Sequence, residues 1–249
     1  KPFFLSYCPY AVHTPIQAIA QVAAKYVRPD KSANNAKYAA MVESVDDAVG
    51  TIMDTLKETG LVEQTLIIFT SDNGGLKGPT DNSPLRSGKG YAYEGGIRVP
   101  LIVRWPGVIR PGTTSNEPVS SVDYLPSIAE AAGCVIPNGR DIDGKSLLSL
   151  LKSDGQQSLD REAIYWHFPH YRHSPGPYSI IRSGDWKMIK WYEGGFELYN
   201  LKDDLSEGTN LANGMALKVK ELDRQLTSEL SRIGAKIPIP NPNYVRKSK

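Results

Sequence analysis

Cysteine is nearly absent. Cys8 and Cys134 are the only two in 249 residues, too few for a disulfide framework, and they neither require nor exclude an oxidising compartment. No apolar run approaches the roughly 20 residues that a membrane-spanning helix needs. An excess of one charge is missing as well: 29 Lys and Arg stand against 27 Asp and Glu, a net +2. That balance argues against a nucleic-acid partner, and the basic tail Arg246, Lys247 and Lys249 reads as a solvated end. Internal repeats are lacking. So is an initiator methionine: the chain opens at Lys1 and runs straight into PFFLSY, which reads as a core strand. We therefore expect residues upstream, where any signal peptide would lie. What remains, 40% hydrophobic and 22% charged residues, suffices for one large or two modest globular domains.

The informative stretch is residues 65–100, TLIIFTSDNGGLKGPTDNSPLRSGKGYAYEGGIRVP. Its apolar start, residues 66–69, reads as a buried strand, ending in Thr70, Ser71, Asp72, Asn73, Gly74 and Gly75. In open α/β sheets ligands collect where loops leave the strand ends. Asp72 and Asn73 are adjacent oxygen donors suited to a hard divalent cation, although SDNG is equally an ordinary turn composition. Lys89 sits between two glycines, so the backbone can approach an anion closely while the ammonium reaches it. A second apolar strand is expected at residues 101–105.

Residues 2–7 also look like a strand, followed by a loop with His13 and Pro15; a lone histidine there could be a structural hydrogen bonder. From about Asn35 to Leu56, apolar residues recur at helical spacing and Gly60 supplies the stop. Asp46 and Asp47 are expected on its solvated side. Strand, helix, strand in that order predicts a βαβ unit with parallel strands, which would open the His13 and Asp72 loops on one edge. A helix follows over about 122–132, with Asp123 capping or buried at its start. A polar run, 152–161, suggests a boundary, giving regions 1–155 and 156–249. Beyond it four short strands are expected near 163–166, 178–182, 186–191 and 196–199, joined by hairpin-length SGD and EGG into an antiparallel sheet. A helix bearing Val219, Leu222, Leu226, Leu230 and Ile233 should cover that sheet, ahead of a proline-broken tail, IPIPNPNY. His167, His170 and His173 could converge on zinc. Pro169 breaks the needed geometry, however, and no cysteine or carboxylate completes the set. Packing, or a pocket wall in which His167 and His170 meet a sugar ring, suits them better.

SDNGG, LRSGKG and YEGGIRVP, in this order and separation, resemble the sulfatases of the alkaline phosphatase superfamily, and VSSVDYLPSIAEAAG extends the likeness. The resemblance implies an α/β fold: part of an alkaline phosphatase-like sandwich, with a mostly parallel sheet and helices, plus a small antiparallel sheet packed by a helix. It implies a sulfuric ester hydrolase, of the kind labelled arylsulfatase or N-acetylgalactosamine sulfatase, acting on sulfated carbohydrates. By this resemblance Asp72 and Asn73 would ligate calcium, Lys89 would contact the sulfate, and His13 would contact it or act as acid toward the leaving oxygen. Such enzymes are usually exported, to the periplasm or beyond.

The family's nucleophile, a formylglycine made from the cysteine or serine of a C/S-x-P-x-R motif, has no match here. Cys8 is followed at once by Pro9, Cys134 by Val135, Ile136 and Pro137, and Ser83-Pro84-Leu85-Arg86 is one residue short. The whole chain thus resembles a sulfatase's C-terminal half, and alone it is expected to be inactive. Two rival readings are a phosphodiesterase or phosphonate monoester hydrolase of the same superfamily, and a non-catalytic binder of sulfated glycans.

Overall fold

The computed structural model describes residues 2–172 and 175–239, in two compact units. The first comprises Lys1–Ser71, Gly75–Asn82 and Pro100–Pro111; the second comprises Asp72–Gly74, Ser83–Val99 and Gly112–Lys249. The expected boundary between residues 155 and 156 falls inside the second unit. His173 and the end of the proline-broken tail, residues 240–249, lie outside the described residues.

In the first unit a short helix α1 (Ala20–Ala24) precedes the long helix α2 (Ala33–Glu58). Ser32 starts α2 through a capping box: the Asn35 N–H donates to its Oγ and its own N–H donates to Asn35 Oδ1, which satisfies two of the donors that a helix start leaves unpaired. The inward face carries Ala36, Ala40, Met41 and Leu56, while Asp46 and Asp47 are exposed as expected. Two strands follow, β1 (Ile67–Thr70) and β2 (Leu101–Arg104), paired from Ile67↔Arg104 to Thr70↔Leu101.

The pair is antiparallel; the expected βαβ unit, with residues 2–7 and 66–69 as its parallel strands, does not form among the described residues because its first strand is absent. Residues 2–7 make no strand, and Phe4 is 73% exposed. Nor is β1 buried: no residue of either strand is, and Ile102 is 61% exposed. A continuous apolar strand is buried only where layers cover both faces of a wider sheet, and a two-stranded ribbon cannot do that for itself.

The second unit contains the four-stranded sheet β3 (Ile164–Phe168), β4 (Tyr178–Ser183), β5 (Trp186–Trp191) and β6 (Gly195–Asn200), antiparallel throughout in the order β3-β4-β5-β6. Side chains alternate across a strand, and this sheet is covered on both faces. Ile181, Met188 and Leu198 meet Val219, Leu222, Leu226 and Leu230 of helix α6 (Ala216–Arg232). Ile233, placed on that apolar face by its spacing, is exposed beyond the helix end. On the opposite face Ile180, Ile189, Trp191 and Tyr199 pack against Ala92 and Tyr93, which immediately precede the single-turn helix α3 (Glu94–Ile97). The YEGG segment is therefore a layer of this unit.

The same unit holds α4 (Tyr124–Ala131) and α5 (Leu148–Lys152). Asp123 is buried at the start of α4, as its position suggested, and its side chain makes no capping hydrogen bond to that helix. Its carboxylate accepts from the Ser120 and Lys145 N–H groups at 2.8 Å each and from both terminal nitrogens of Arg161.

Candidate functional site

Three motif loops cross within the second unit on a floor of glycine. The Gly74 N–H donates to the Gly96 carbonyl at 3.0 Å, and the Gly95 N–H donates to the Arg86 carbonyl at 2.9 Å. A Cβ on Gly74 would lie 1.8 Å from the Gly95 oxygen, one on Gly95 would lie 2.4 Å from the Arg86 oxygen, and one on Gly96 would lie 2.2 Å from the Tyr91 oxygen. No side chain fits where backbones approach so closely, so glycine is required for the packing itself. One residue before Gly74 stands Asn73, and one after the buried Gly88 stands Lys89. Gly96 touches both supports, through Gly74 on one side and the Gly88 carbonyl on the other.

The loop of residues 86–95 is pinned to the sheet by a charged network beneath it. Arg86 donates to the Tyr199 hydroxyl at 3.0 Å and to the Glu207 carbonyl at 2.9 Å, and its guanidinium lies 3.7 Å above the Tyr93 ring. Glu207 Oε2 accepts the Glu94 N–H at 2.6 Å. Lys187, fully buried on β5, reaches Glu94 Oε1 at 3.0 Å and Glu207 Oε1 at 2.7 Å. Glu197 collects the Tyr93 hydroxyl, the Trp191 indole N–H and the Tyr199 hydroxyl. Burial pushes the Tyr93 phenol up to about 12, with Glu197 adding to it, and drives Tyr199 up further by the same two causes. Burial also raises Glu207, against the pull of Lys187. None of Lys187, Glu207, Glu94 or Glu197 stood out as a site residue in the sequence.

The expected site residues fare differently. Asp72 is exposed, Asn73 is half-buried, and the Asn73 amide donates to Asp72 Oδ1 at 2.9 Å. Their oxygens are chemically right for a hard cation, yet two side chains fall short of the six to eight oxygens calcium takes. No group of three or more His, Cys, Asp or Glu able to hold a metal occurs among the described residues. The pair fits calcium as part of a shell. Lys89 is half-buried in its loop. His13 belongs to the first unit, exposed, with Nδ1 2.9 Å from the Thr14 carbonyl and the Tyr10 ring edge-on at 5.7 Å.

The sheet histidines separate in role. His167 uses both ring nitrogens within the protein, Nδ1 to Ser179 Oγ at 2.8 Å and Nε2 to the Lys236 carbonyl at 3.0 Å. Those bonds hold a strand to the chain beyond α6 and leave no nitrogen for a sugar. His170 stands edge-on to Phe168 at 5.1 Å, and Phe168 stacks on Tyr178.

The Sulfatase family profile matches residues 1–134, and the profile described as N-sulphoglucosamine sulphohydrolase, C-terminal, matches residues 87–236. A sulfatase of Formosa agariphila is 42% identical over 233 residues, covering 85% of this chain and 42% of its own length. Among solved structures, Ps i-CgsB in complex with k-i-k-neocarrahexaose superposes with a TM-score of 0.77 at 30% identity, covering 89% of this chain and 48% of that one. A protein in complex with its substrate D-glucosamine-2-N,6-O-disulfate gives 0.65 at 30% identity, covering 85% and 45%. The chain thus spans less than half the length of these relatives. The likeness is consistent with part of an alkaline phosphatase-like α/β fold, to which the four-stranded antiparallel sheet and its helices belong.

Proposed function

The chain belongs to the sulfatase family, and from that premise we propose that it is the C-terminal, anion-holding part of a sulfuric ester hydrolase acting on sulfated carbohydrates. The observation that carries this reading is the glycine crossing. It fixes the loop bearing Asp72 and Asn73 against Gly95 and Gly96, and the loop bearing Lys89 against the same two residues. Hydrolysis of a sulfate ester develops charge on the sulfuryl oxygens and on the leaving oxygen, which fixed cations stabilise without having to reorganise. In this reading Lys89 holds a sulfate oxygen, and His13 contacts the sulfate or protonates the leaving oxygen. Asp72 and Asn73 contribute oxygens to a calcium ion whose other ligands lie outside this chain. When bound, calcium would supply electrostatic clamping of the sulfate oxygens. The formylglycine nucleophile likewise belongs to residues upstream. His170, beside the Phe168 and Tyr178 rings, is the remaining candidate for a sugar-facing wall, and export from the cytoplasm completes the proposal.

The test uses the full-length natural protein. Inorganic sulfate released from D-glucosamine 6-sulfate and from an aryl sulfate is measured for the wild type and for Lys89→Ala and His13→Ala. The reading expects turnover that both substitutions reduce by about a hundredfold or more. Binding of sulfated sugar without release of sulfate would replace it with the glycan-binding reading. Faster cleavage of a phosphonate monoester or phosphodiester would replace it with the other hydrolases of the superfamily.

A further inference from the structure

The 86–95 loop is closed at its neck by the bond from the Gly95 N–H to the Arg86 carbonyl, and Lys89 lies near its middle. Glu207 grips both ends of the loop: its carbonyl accepts from Arg86 and its carboxylate accepts from the Glu94 N–H. Such a grip brings the buried Glu207 carboxylate beside the buried Glu94 carboxylate, and two ionised carboxylates cannot share a dry site without a cation. Lys187 is that cation. Its ammonium, 0% exposed, bridges the two at 3.0 and 2.7 Å. Arg98 and Arg182 approach only the far oxygen of Glu94, at 3.5 and 3.9 Å, so they cannot replace a charge placed between the two acids. Lys187 lies on β5 in a four-stranded sheet whose other face is sealed by α6, which gives it a rigid base.

We infer that Lys187, with Glu207, is a positioning residue for Lys89, fixing the loop so that the Lys89 ammonium is held where an anionic group would bind. This rests on the role of Lys89 proposed above. The clamp is built from buried ion pairs, which can be weak stabilisers overall yet leave a costly bare charge when one member is removed. Loss of Lys187 should therefore lower stability as well as disturb the loop that Glu94 and Glu207 hold, and the cycle below reads the two effects apart. Misplacement of a binding group by about 1 Å can cost on the order of a hundredfold in rate.

The test is a double-mutant cycle in the full-length natural protein. Lys187→Met should lower kcat/KM by about ten- to a hundredfold, and Lys187→Arg should recover part of the loss. In a Lys89→Ala background, Lys187→Met should have almost no further effect. Leu226→Ala, in the core on the far face of the same sheet, should lower thermal stability while leaving kcat/KM within about threefold. An effect of Lys187→Met that adds in full to that of Lys89→Ala, or a folded Lys187→Met protein with wild-type kcat/KM, overturns the inference. If Lys187→Met does not fold, Glu207→Gln takes its place in the cycle with the same criteria. If the wild type hydrolyses no sulfate ester, the functional reading fails separately. Hydrogen exchange over residues 86–96 then decides the clamp: faster exchange in Glu207→Gln with unchanged exchange in α6 supports it, and unchanged exchange in the loop overturns it.

Discussion

Gly74 and Gly95 approach so closely that a Cβ on Gly74 would lie 1.8 Å from the Gly95 carbonyl oxygen and 2.7 Å from its carbon. Both are backbone atoms, held by the Gly74 to Gly96 hydrogen bond, and cannot rotate aside as a side chain would. Gly74→Ala should therefore cost at least about 3 kcal/mol through forced separation of the loops. Gly50 is the comparison: it lies within α2, and a methyl group there would meet nothing within 4 Å. Gly50→Ala should stabilise by up to about 1 kcal/mol. Urea midpoints of the two variants should move in opposite directions, and a shift of the same sign in both would contradict the steric account.

The Asp123 and Arg161 pair offers a second test. Asp123 is fully buried and Arg161 nearly so, and the carboxylate keeps two backbone donors if the guanidinium is removed. Two amide dipoles do not neutralise a buried charge. Arg161→Met should destabilise by about 3–5 kcal/mol, and adding Asp123→Asn should return part of that loss. If the double variant is less stable than Arg161→Met alone by the full cost of Asp123→Asn measured singly, the pair is not coupled through charge.

How much of this was legible in the sequence depends on whether the signal was local. The long helix with its Gly60 stop, the glycine-turned hairpins and the α6 stripe were readable because periodicity and turn chemistry act over a few residues. The pairing of strands far apart in sequence was not. Residues 2–7 have a strand's composition but no partner among the described residues, and the apolar run of β1 carries no mark of which strand it meets or whether a second layer covers it. The clamp was hidden for another reason. In the β5 segment Trp186-Lys187-Met188-Ile189-Lys190-Trp191, alternation puts one lysine and two apolar residues on each face, so the pattern does not say which lysine is buried. Only the fold shows that Lys187 meets Glu94 and Glu207 from distant stretches while Lys190 turns to Asp223 on α6. The motif glycines were visible as turn formers, but their service as backbone contact points requires knowing which loops cross.

Alkaline titration should expose the docking of the motif loop on the sheet. Tyr93 moves from 10.0 to about 12, first because burial disfavours its phenolate and then because Glu197 repels it. A group raised on folding lends stability that is complete below its unfolded value and fades as pH climbs through its folded one. The contribution of Tyr93 is therefore intact below about pH 10 and is lost between about pH 10 and pH 12. Tyrosinate absorbance and near-ultraviolet circular dichroism should show a late ionisation coupled to loss of tertiary signal, and Tyr93→Phe should remove part of it. A titration unchanged by that substitution would mean that the late step belongs to Tyr199 or to another tyrosine.

Calcium dependence tests the polar end of the crossing. An exposed Asp72 with one neighbouring amide donor can be only a fraction of a calcium shell, so its removal should weaken the site without abolishing the fold. In the full-length natural protein, chelation of divalent cations should lower both sulfate release and thermal stability, and added calcium should restore both. Asp72→Asn keeps the size of the side chain and its ability to form the turn while removing one charge from the ligand set, and charge count is a principal control on calcium affinity. The calcium concentration giving half-maximal thermal stabilisation should rise by about tenfold or more. That shift is readable without any turnover, which separates a lost ligand from a lost catalytic group. If wild type and Asp72→Asn reach half-stabilisation at the same calcium concentration, Asp72 is a turn residue and the metal, if one binds, is held elsewhere. If stabilisation is weakened in Asp72→Asn but sulfate release at saturating calcium is unchanged, Asp72 serves affinity alone, and the clamping of sulfate oxygens depends on the ion and on Lys89.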